Sequence, residues 1–322
     1  MLPISRLFLL CLLSIGAAAP VRAAEMDFAQ WLDGVRQEAL ASGISGPTVE
    51  LALGDGLEPI ERVIELDRGQ PETTQTYEQY LRHVVNPRRK AARRQLAANR
   101  PLLAEVAQRY GVQPRFIVAL WGIESSFGRG SGKFPVVGAL ATLAYDGRRS
   151  DFFRGELMNA LKIIDQDHLD PKDMLGSWAG AMGQSQFMPS SFLLYAVSYQ
   201  GDGPRDIWHN RPDVFASIAN YLSQSGWHGD QSWGRAVRLP KGVDPALVGL
   251  DVQKSEREWR ALGVKRSDGR ALAAGDLIAS VLRPGGEQGP ALLVYDNFRV
   301  LMKWNNSSYF ASAVGFLADS ME

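Results

Sequence analysis

The stretch Pro114-Arg115-Phe116-Ile117-Val118-Ala119-Leu120-Trp121-Gly122-Ile123-Glu124-Ser125-Ser126-Phe127-Gly128 decides how the chain folds. A proline at the start and an unbroken apolar run predict a helix from Pro114 to about Ser125. Counting back from Glu124, Trp121 stands three residues earlier, Leu120 four and Ile117 seven. Glu124 therefore continues the apolar face, the one that a folded chain buries. A carboxyl on that face loses hydration, which favours its neutral form and raises its pKa. A carboxyl still protonated near neutral pH is what general acid catalysis requires. The same glutamate could instead close the helix and pair with an arginine such as Arg115 or Arg129. Periodicity alone leaves both readings open.

Outward from this helix the pattern stays helical. Phe28, Trp31, Leu32, Val35 and Ala39 mark an amphipathic helix ending at Gly43, and a second starts near Pro47. Pro71 to Thr76 is a polar break, and the basic run from Arg88 to Arg94 reads as a solvated helix face. Pro101 to Tyr110 is a short helix followed by Gly111. Past a Gly-rich loop at 128–135 and a charged turn at 145–155, helix is expected at 155–165, 190–199 and 212–225. After Trp233 the texture changes. Short β-type runs (Ala236–Leu239, Leu277–Leu282, Ala291–Tyr295, Arg299–Trp304) alternate with turn residues, and a last helix covers Ser308 to Asp319.

With 322 residues, 45% hydrophobic and 22% charged, the chain can bury a core and is no disordered tail. Lys+Arg and Asp+Glu both number 35, a balance that argues against a nucleic-acid partner. Arg6, the apolar run Leu7 to Ile15 and the small residues before Ala24 read as a signal peptide cut after Ala23. The run is too short for a membrane span. Leu9-Leu10 ahead of Cys11 do not suit a lipidated cysteine. Removing 1–23 takes away the only cysteine, which rules out disulfides, Cys nucleophiles and Cys metal ligands in the mature chain.

Other motifs fail. Gly128 to Lys133 lacks the first Gly and the Ser/Thr of a phosphate loop. No G-x-S-x-G occurs, and the four histidines form no HExxH. One further cluster stands out, Ser177-Trp178-Ala179-Gly180-Ala181-Met182-Gly183-Gln184-Ser185-Gln186-Phe187-Met188-Pro189-Ser190-Ser191. Small residues let backbone approach a ligand, Gln and Ser supply neutral donors and acceptors, and Trp, Phe and Met supply flat or soft apolar surface. That mixture suits a sugar, with its hydroxyl rim and apolar ring face. On composition alone it equally suits a packed helix–turn–helix junction.

Taken together, Glu124 to Gly128, Gly180 to Ser191, Asp206-Ile207-Trp208 with Ile218 to Leu222 and Gly226-Trp227, and Asn297-Phe298 through Trp304-Asn305 to Asp319 resemble, in order, the membrane-bound lytic murein transglycosylase B family, glycoside hydrolase family 103. The resemblance covers nearly all of residues 25–320. It implies a mainly α (α+β) protein with a lysozyme-like α core, an additional α domain and a small β-rich subdomain. The expected divisions are a signal peptide at 1–23, a helical region at 24–110, the catalytic core at 111–235, the β-rich subdomain at 236–300 and a returning C-terminal segment at 301–322. It also implies a periplasmic location, glycan strands of peptidoglycan as the partner, unidentified cell-wall synthesis proteins as further ones, and a monomer.

The activity implied is cleavage of the β-1,4 bond between N-acetylmuramic acid and N-acetylglucosamine without water, leaving a 1,6-anhydro ring. Glu124 would act as acid and then as base. Ser177 and Gln186 would hydrogen-bond near Glu124 and the N-acetyl group. Tyr221 and Asn305 would line the same subsite, and Arg148 and Arg149 would face peptide or lactyl carboxylates. Met182 and Phe187 could line the site or simply be core. A hydrolysing enzyme needs a second carboxylate across the bond. None stands out, although Asp146, Asp151 and Glu156 are candidates by position, so a hydrolytic muramidase and a non-catalytic glycan-binding protein are the competing readings. No cofactor is expected. Some family members carry an EF-hand-like loop where this chain has Ser198 to Asp206. Asp202, Gly203 and Asp206 fit that pattern, but Ser198 and His209 replace its first and last carboxylates, so the loop is expected to be structural.

Overall fold

The structure, a computed structural model, describes residues 27–69, 75–287 and 289–322. The expected export segment at 1–23 lies outside the described residues. Helix α1 (Phe28–Ala41) buries Phe28, Leu32, Val35 and Ala39, the stripe expected from the sequence. Helix α2 (Gly46–Ala52) opens on the Ser45 hydroxyl, which accepts from the Thr48 amide. Helix α3 (Glu61–Arg68) follows, then α4 (Tyr77–Val84), which begins in a reciprocal capping box between Thr76 and Gln79. A 3-10 turn, Asn86–Arg88, leads into α5 (Arg89–Ala98) and α6 (Arg100–Tyr110), which closes on a left-handed Gly111.

The next helices form the centre. Helix α7 (Pro114–Ser125) is buried from Phe116 to Gly122, and α8 (Val136–Tyr145), which carries no charged side chain, is buried from Val136 to Ala144. A helix apolar all round is stable only when surrounded. Helix α9 (Ser150–Asp167) packs on α8 and α11 (Arg211–Gln224) on α7, and α10 (Pro189–Tyr195) packs in turn on α9 and α11. Strands β1 (Phe134–Pro135) and β2 (Leu175–Gly176) pair antiparallel beside them.

The β-rich part holds β3 (Gly234–Arg238), β4 (Lys254–Ser255), α12 (Glu256–Ala261), β5 (Lys265–Arg266), β6 (Ile278–Leu282) and β7 (Ala291–Val294). The antiparallel order is β4-β6-β7-β3-β5, with Val237 opposite Ala291 and Leu282 opposite Leu292. Side chains alternate across a sheet. Val237, Ala279, Val281, Ala291 and Leu293 form a small core with Trp259 and Tyr295, while Leu282, Leu292 and Val294 on the opposite face join the main core. One sheet thus serves two cores, which fixes the subdomain to the helical body. Helices α13 (Asp296–Trp304) and α14 (Ser308–Asp319) return to that body, α14 packing on α7.

Three expectations change. The run Arg299–Trp304, expected as β, belongs to α13, because Asn297, Phe298, Val300 and Leu301 make one buried helical face. Helix α9 starts at Ser150, inside the expected charged turn, and α10 stops at Tyr195, after which Ser217 and Asp213 hold the chain through the Val197 and Tyr199 amides. The regions expected at 24–110 and 111–235 share one continuous core from Phe28 to Ala318, and the five-stranded sheet ends at Val294. Among the described residues no helix is long and apolar enough to cross a membrane.

Candidate active site

Glu124 sits in the last turn of α7, and the chain then reverses sharply. Ser126 and Phe127 both adopt left-handed conformations, at φ 51° and 63°. For residues with a Cβ each such conformation costs about 1–3 kcal/mol and persists only when its surroundings enforce it. The enforcement is visible. The Phe127 amide donates to the Trp121 carbonyl, the Ser126 amide to the Gly122 carbonyl, and the Phe127 ring turns back under Gly122. A Cβ on Gly122 would meet that ring at 2.6 Å, so any larger residue would force the ring to shift. The Ser125 hydroxyl bonds the Trp121 carbonyl and accepts from the Gly128 amide, which closes the turn.

The Glu124 carboxyl lies deep among protein atoms, yet the residue keeps a partly open surface. Burial pushes its pKa up to about 7, and one hydrogen bond, from the Trp304 indole N–H at 2.6 Å, offsets part of that rise. The arginine pairing left open above is not formed. Arg115 pairs with Glu322, and Arg129 donates to the Ser126 carbonyl. Trp304 also builds an aromatic wall. Its ring lies 4.6 Å from Tyr221 and 5.2 Å from Phe187, and Tyr221 lies 4.4 Å from Tyr195. Burial pushes the Tyr221 phenol up to about 12, so it stays a neutral donor at ordinary pH. On the α4 side, the Tyr80 phenol is raised by burial and then by the nearby Glu124 charge, and its ring meets Tyr309 at 5.6 Å. Aromatic faces around one buried acid suit the apolar faces of sugar rings.

The expected residues are distributed as follows. The Ser177 hydroxyl accepts from the Ala179 and Ala181 amides, which leaves its own proton for an outside acceptor. Gln186, at φ 51°, donates its amide to the Ser131 and Gly183 carbonyls at 3.0 and 2.9 Å, so its donor end braces the loop. Its neighbour Gln184, absent from the expected set, ties the site together. It accepts from the Trp121 indole at 2.8 Å and donates to the Trp208 carbonyl at 2.6 Å. Met182 and Phe187 pair backbone to backbone across this loop. Met182 and Phe187 are both buried, the Phe187 ring lying against Trp304 and so backing the wall. Tyr221 stands in the wall on α11, and Asn305, exposed, caps α13 directly after Trp304.

Arg148 and Arg149 lie on the turn before α9. Both hold the fully buried Asp67 of α3, Arg149 at 2.7 Å and Arg148 at 3.5 Å, and both remain about half exposed. A buried carboxylate needs such partners. Of the candidate second acids, Asp146 pairs with Arg68, and Glu156 accepts from the Ser190 amide and hydroxyl at 2.8 and 2.6 Å, anchoring α10 on α9. Asp151 is exposed on the first turn of α9. Trp304 and Tyr80 were missed in the sequence. Trp304 was hidden by the strand reading of its segment, although it extends the α13 face of Asn297, Val300 and Leu301. Tyr80 follows Tyr77 by three residues on α4, a spacing that shares a helix face.

The loop at 198–209 is built without convergent carboxylates. Asp213 accepts the Tyr199 and Asp206 amides, at 2.8 and 2.9 Å. Asp206 is engaged with the Trp208 and His209 amides, and Arg205 forms a bidentate pair with Asp167 at 3.0 and 2.5 Å. Ser198 and His209 stand at the first and last ligand positions of such a loop, and among the described residues no group of three or more acidic or histidine side chains converges there.

A family model described as a transglycosylase SLT domain matches residues 27–319. Membrane-bound lytic murein transglycosylase B of Escherichia coli (strain K12) is 35% identical over 232 residues, 66% of this chain; the chain spans 58% of that relative's length. Among solved structures, SltB3 from Pseudomonas aeruginosa in complex with NAG-anhNAM-pentapeptide is 45% identical at a TM-score of 0.88, covering 92% of this chain and 80% of that one. The Escherichia coli lytic transglycosylase Slt35 in complex with calcium is 28% identical at a TM-score of 0.75, covering 90% and 92%. The family match takes in the helix bearing Glu124, the glutamine-rich loop and the helix bearing Trp304, and the chain belongs to the transglycosylase SLT domain family.

Proposed function

We propose that the protein is a periplasmic lytic transglycosylase of peptidoglycan. It cleaves the β-1,4 bond between N-acetylmuramic acid and N-acetylglucosamine and leaves a 1,6-anhydro end. The observation that carries this reading is Glu124, a carboxyl pushed up to about 7 by burial and held by Trp304, with Asp146 and Glu156 committed elsewhere.

The protonated Glu124 gives its proton to the glycosidic oxygen as the bond to the anomeric carbon breaks. The carbonyl of the substrate's own N-acetyl group meets the positive charge at that carbon. Ser177 and Gln186 are assigned to hydrogen-bond that group, a role supported by the unspent Ser177 proton and the free Gln186 carbonyl end. The Glu124 carboxylate then takes the proton of the 6-hydroxyl as that oxygen attacks the same carbon. The proton returns to Glu124, and no water is consumed. Tyr195, Tyr221 and Trp304, backed by Phe187, supply the apolar surface that excludes water. The anhydro ligand named for the related SltB3 complex agrees with this product.

Digestion of purified peptidoglycan by the wild type and by Glu124→Gln, read by mass spectrometry, tests the proposal. Products one water lighter than hydrolytic ones are expected from the wild type, and none from Glu124→Gln. Reducing-end products would establish a hydrolytic muramidase instead, and cleavage by Glu124→Gln would remove Glu124 from its role.

A further inference from the structure

The basic run Arg88–Arg94 does not behave as a uniformly solvated face. Arg89, Lys90 and Arg94 are exposed, but Arg88 turns inward from the 3-10 turn between α4 and α5. Its Nε donates to the Gly122 carbonyl at 2.8 Å, its Nη2 to the Ser126 hydroxyl at 3.3 Å and its Nη1 to the Val84 carbonyl at 2.9 Å. Burial lowers the pKa of this guanidinium below its ordinary value. Gly122 and Ser126 flank Glu124 by two residues on either side. They are also the two ends of the last turn of α7, joined by the Ser126 amide bond to the Gly122 carbonyl, and Ser126 is the left-handed cap of that helix.

We propose that Arg88 is a positioning residue for the Glu124 carboxyl. It touches neither that carboxyl nor the sugar, and acts by pinning both ends of the turn that carries the acid. This inference rests on Glu124 as the proposed acid. A carboxyl that must serve first the glycosidic oxygen and then the 6-hydroxyl has little tolerance for displacement, and a shift of about 1 Å can cost roughly 100-fold in rate. The planar fork of a guanidinium reaches three acceptors at fixed angles. A lysine ammonium, a point donor on a flexible stem, does not reproduce this. Helix α4, which carries Tyr80 beside Glu124, is tied to the same guanidinium through Val84.

The test measures kcat and KM on soluble peptidoglycan fragments, with circular dichroism at the assay temperature, for Arg88→Lys, Arg88→Met and Ser126→Ala. Loss of kcat by roughly 10- to 100-fold in the Arg88 variants is expected, with KM within about threefold of the wild type and the folded fraction unchanged. Ser126→Ala, which deletes one acceptor, should lose less. A purely structural role would lower the melting temperature while the folded protein kept its kcat. Wild-type kcat in Arg88→Lys and Ser126→Ala, or a loss carried wholly by KM, would overturn the proposal. If Arg88→Met fails to fold, the other two variants still decide the matter. Failure of the Glu124 assignment is separate, since it appears as activity in Glu124→Gln.

Discussion

The indole N–H of Trp304 lies 2.6 Å from Oε1 of Glu124, joining residues 180 positions apart in the sequence. That bond favours the ionised carboxylate, whereas burial favours the acid, and burial is the larger effect. The pair sets a carboxyl that can lose and regain a proton near neutrality. Trp304→Phe removes the donor and keeps much of the ring. The Glu124 pKa should then rise further, moving the alkaline limb of kcat/KM to higher pH, while kcat falls about tenfold as the carboxyl loses its anchor. An unshifted limb in the pH profile would show that the bond does not tune the acid.

The wild-type profile follows from the same carboxyl. Glu124 must begin protonated, so kcat/KM should be high below pH 7 and fall as pH rises through about 7. Stability carries a matching signature. The folded pKa is above the ordinary 4.5, so ionising the native state costs stability progressively between about pH 4.5 and 7, at most about 3 kcal/mol. Glu124→Gln removes that cost. Calorimetry should find the variant more stable than wild type by about 1–3 kcal/mol at pH 8 and indistinguishable at pH 4.

Asp319, at the end of α14, is a second, half-buried acid, pushed up to about 6 by burial while the Trp233 indole at 3.1 Å pulls it back. Its ionisation destabilises the fold as pH rises from about 4 to 6, and full stability belongs to the acidic side. Asp319→Asn keeps an acceptor for Trp233 and loses the charge. The variant should gain about 1–2 kcal/mol at pH 8 in denaturant unfolding and match the wild type at pH 4.

Gly122→Ala places a methyl 2.6 Å from the Phe127 ring, where the neighbouring left-handed turn leaves no slack. Overpacking of this kind costs about 1–3 kcal/mol. A lower melting temperature and a fall in kcat are expected together, since the ring and the Glu124 turn shift as one. Full activity in a folded Gly122→Ala would show that the turn is less constrained than its geometry indicates.

The loop at 198–209 makes a separate prediction. With Asp213 and the Arg205–Asp167 pair holding it, thermal unfolding should be the same in excess calcium and in chelator. Asp213→Ala strands two amides and should cost about 2–4 kcal/mol. A melting temperature that climbs with calcium would contradict this account.

Much of the helical architecture was legible in the sequence because strong periodicity and caps mark it. The stripe of α1, the proline-led start of α7 and the bounds of α14 all follow from local residues. The segment 299–304 was misread because a short apolar run fits strand or helix equally, and the choice was made by the core that receives Phe298 and Leu301. Arg88 was misread for a similar reason. Its charge suited a solvated face, and its real partners, the Gly122 carbonyl and the Ser126 hydroxyl, lie on another helix.

That Glu124 continues an apolar helix face was readable from residue order, because the 3.6-residue period sets which side chains share a face, and that position already implies a raised pKa. Tertiary structure alone decided what stands around that carboxyl. Trp304, Tyr221 and Phe187 come from three separate elements, and no local rule sets their distances. Desolvation depends on every atom packed near a group, so the extent of the shift belongs to the folded chain even though its direction belongs to the helix.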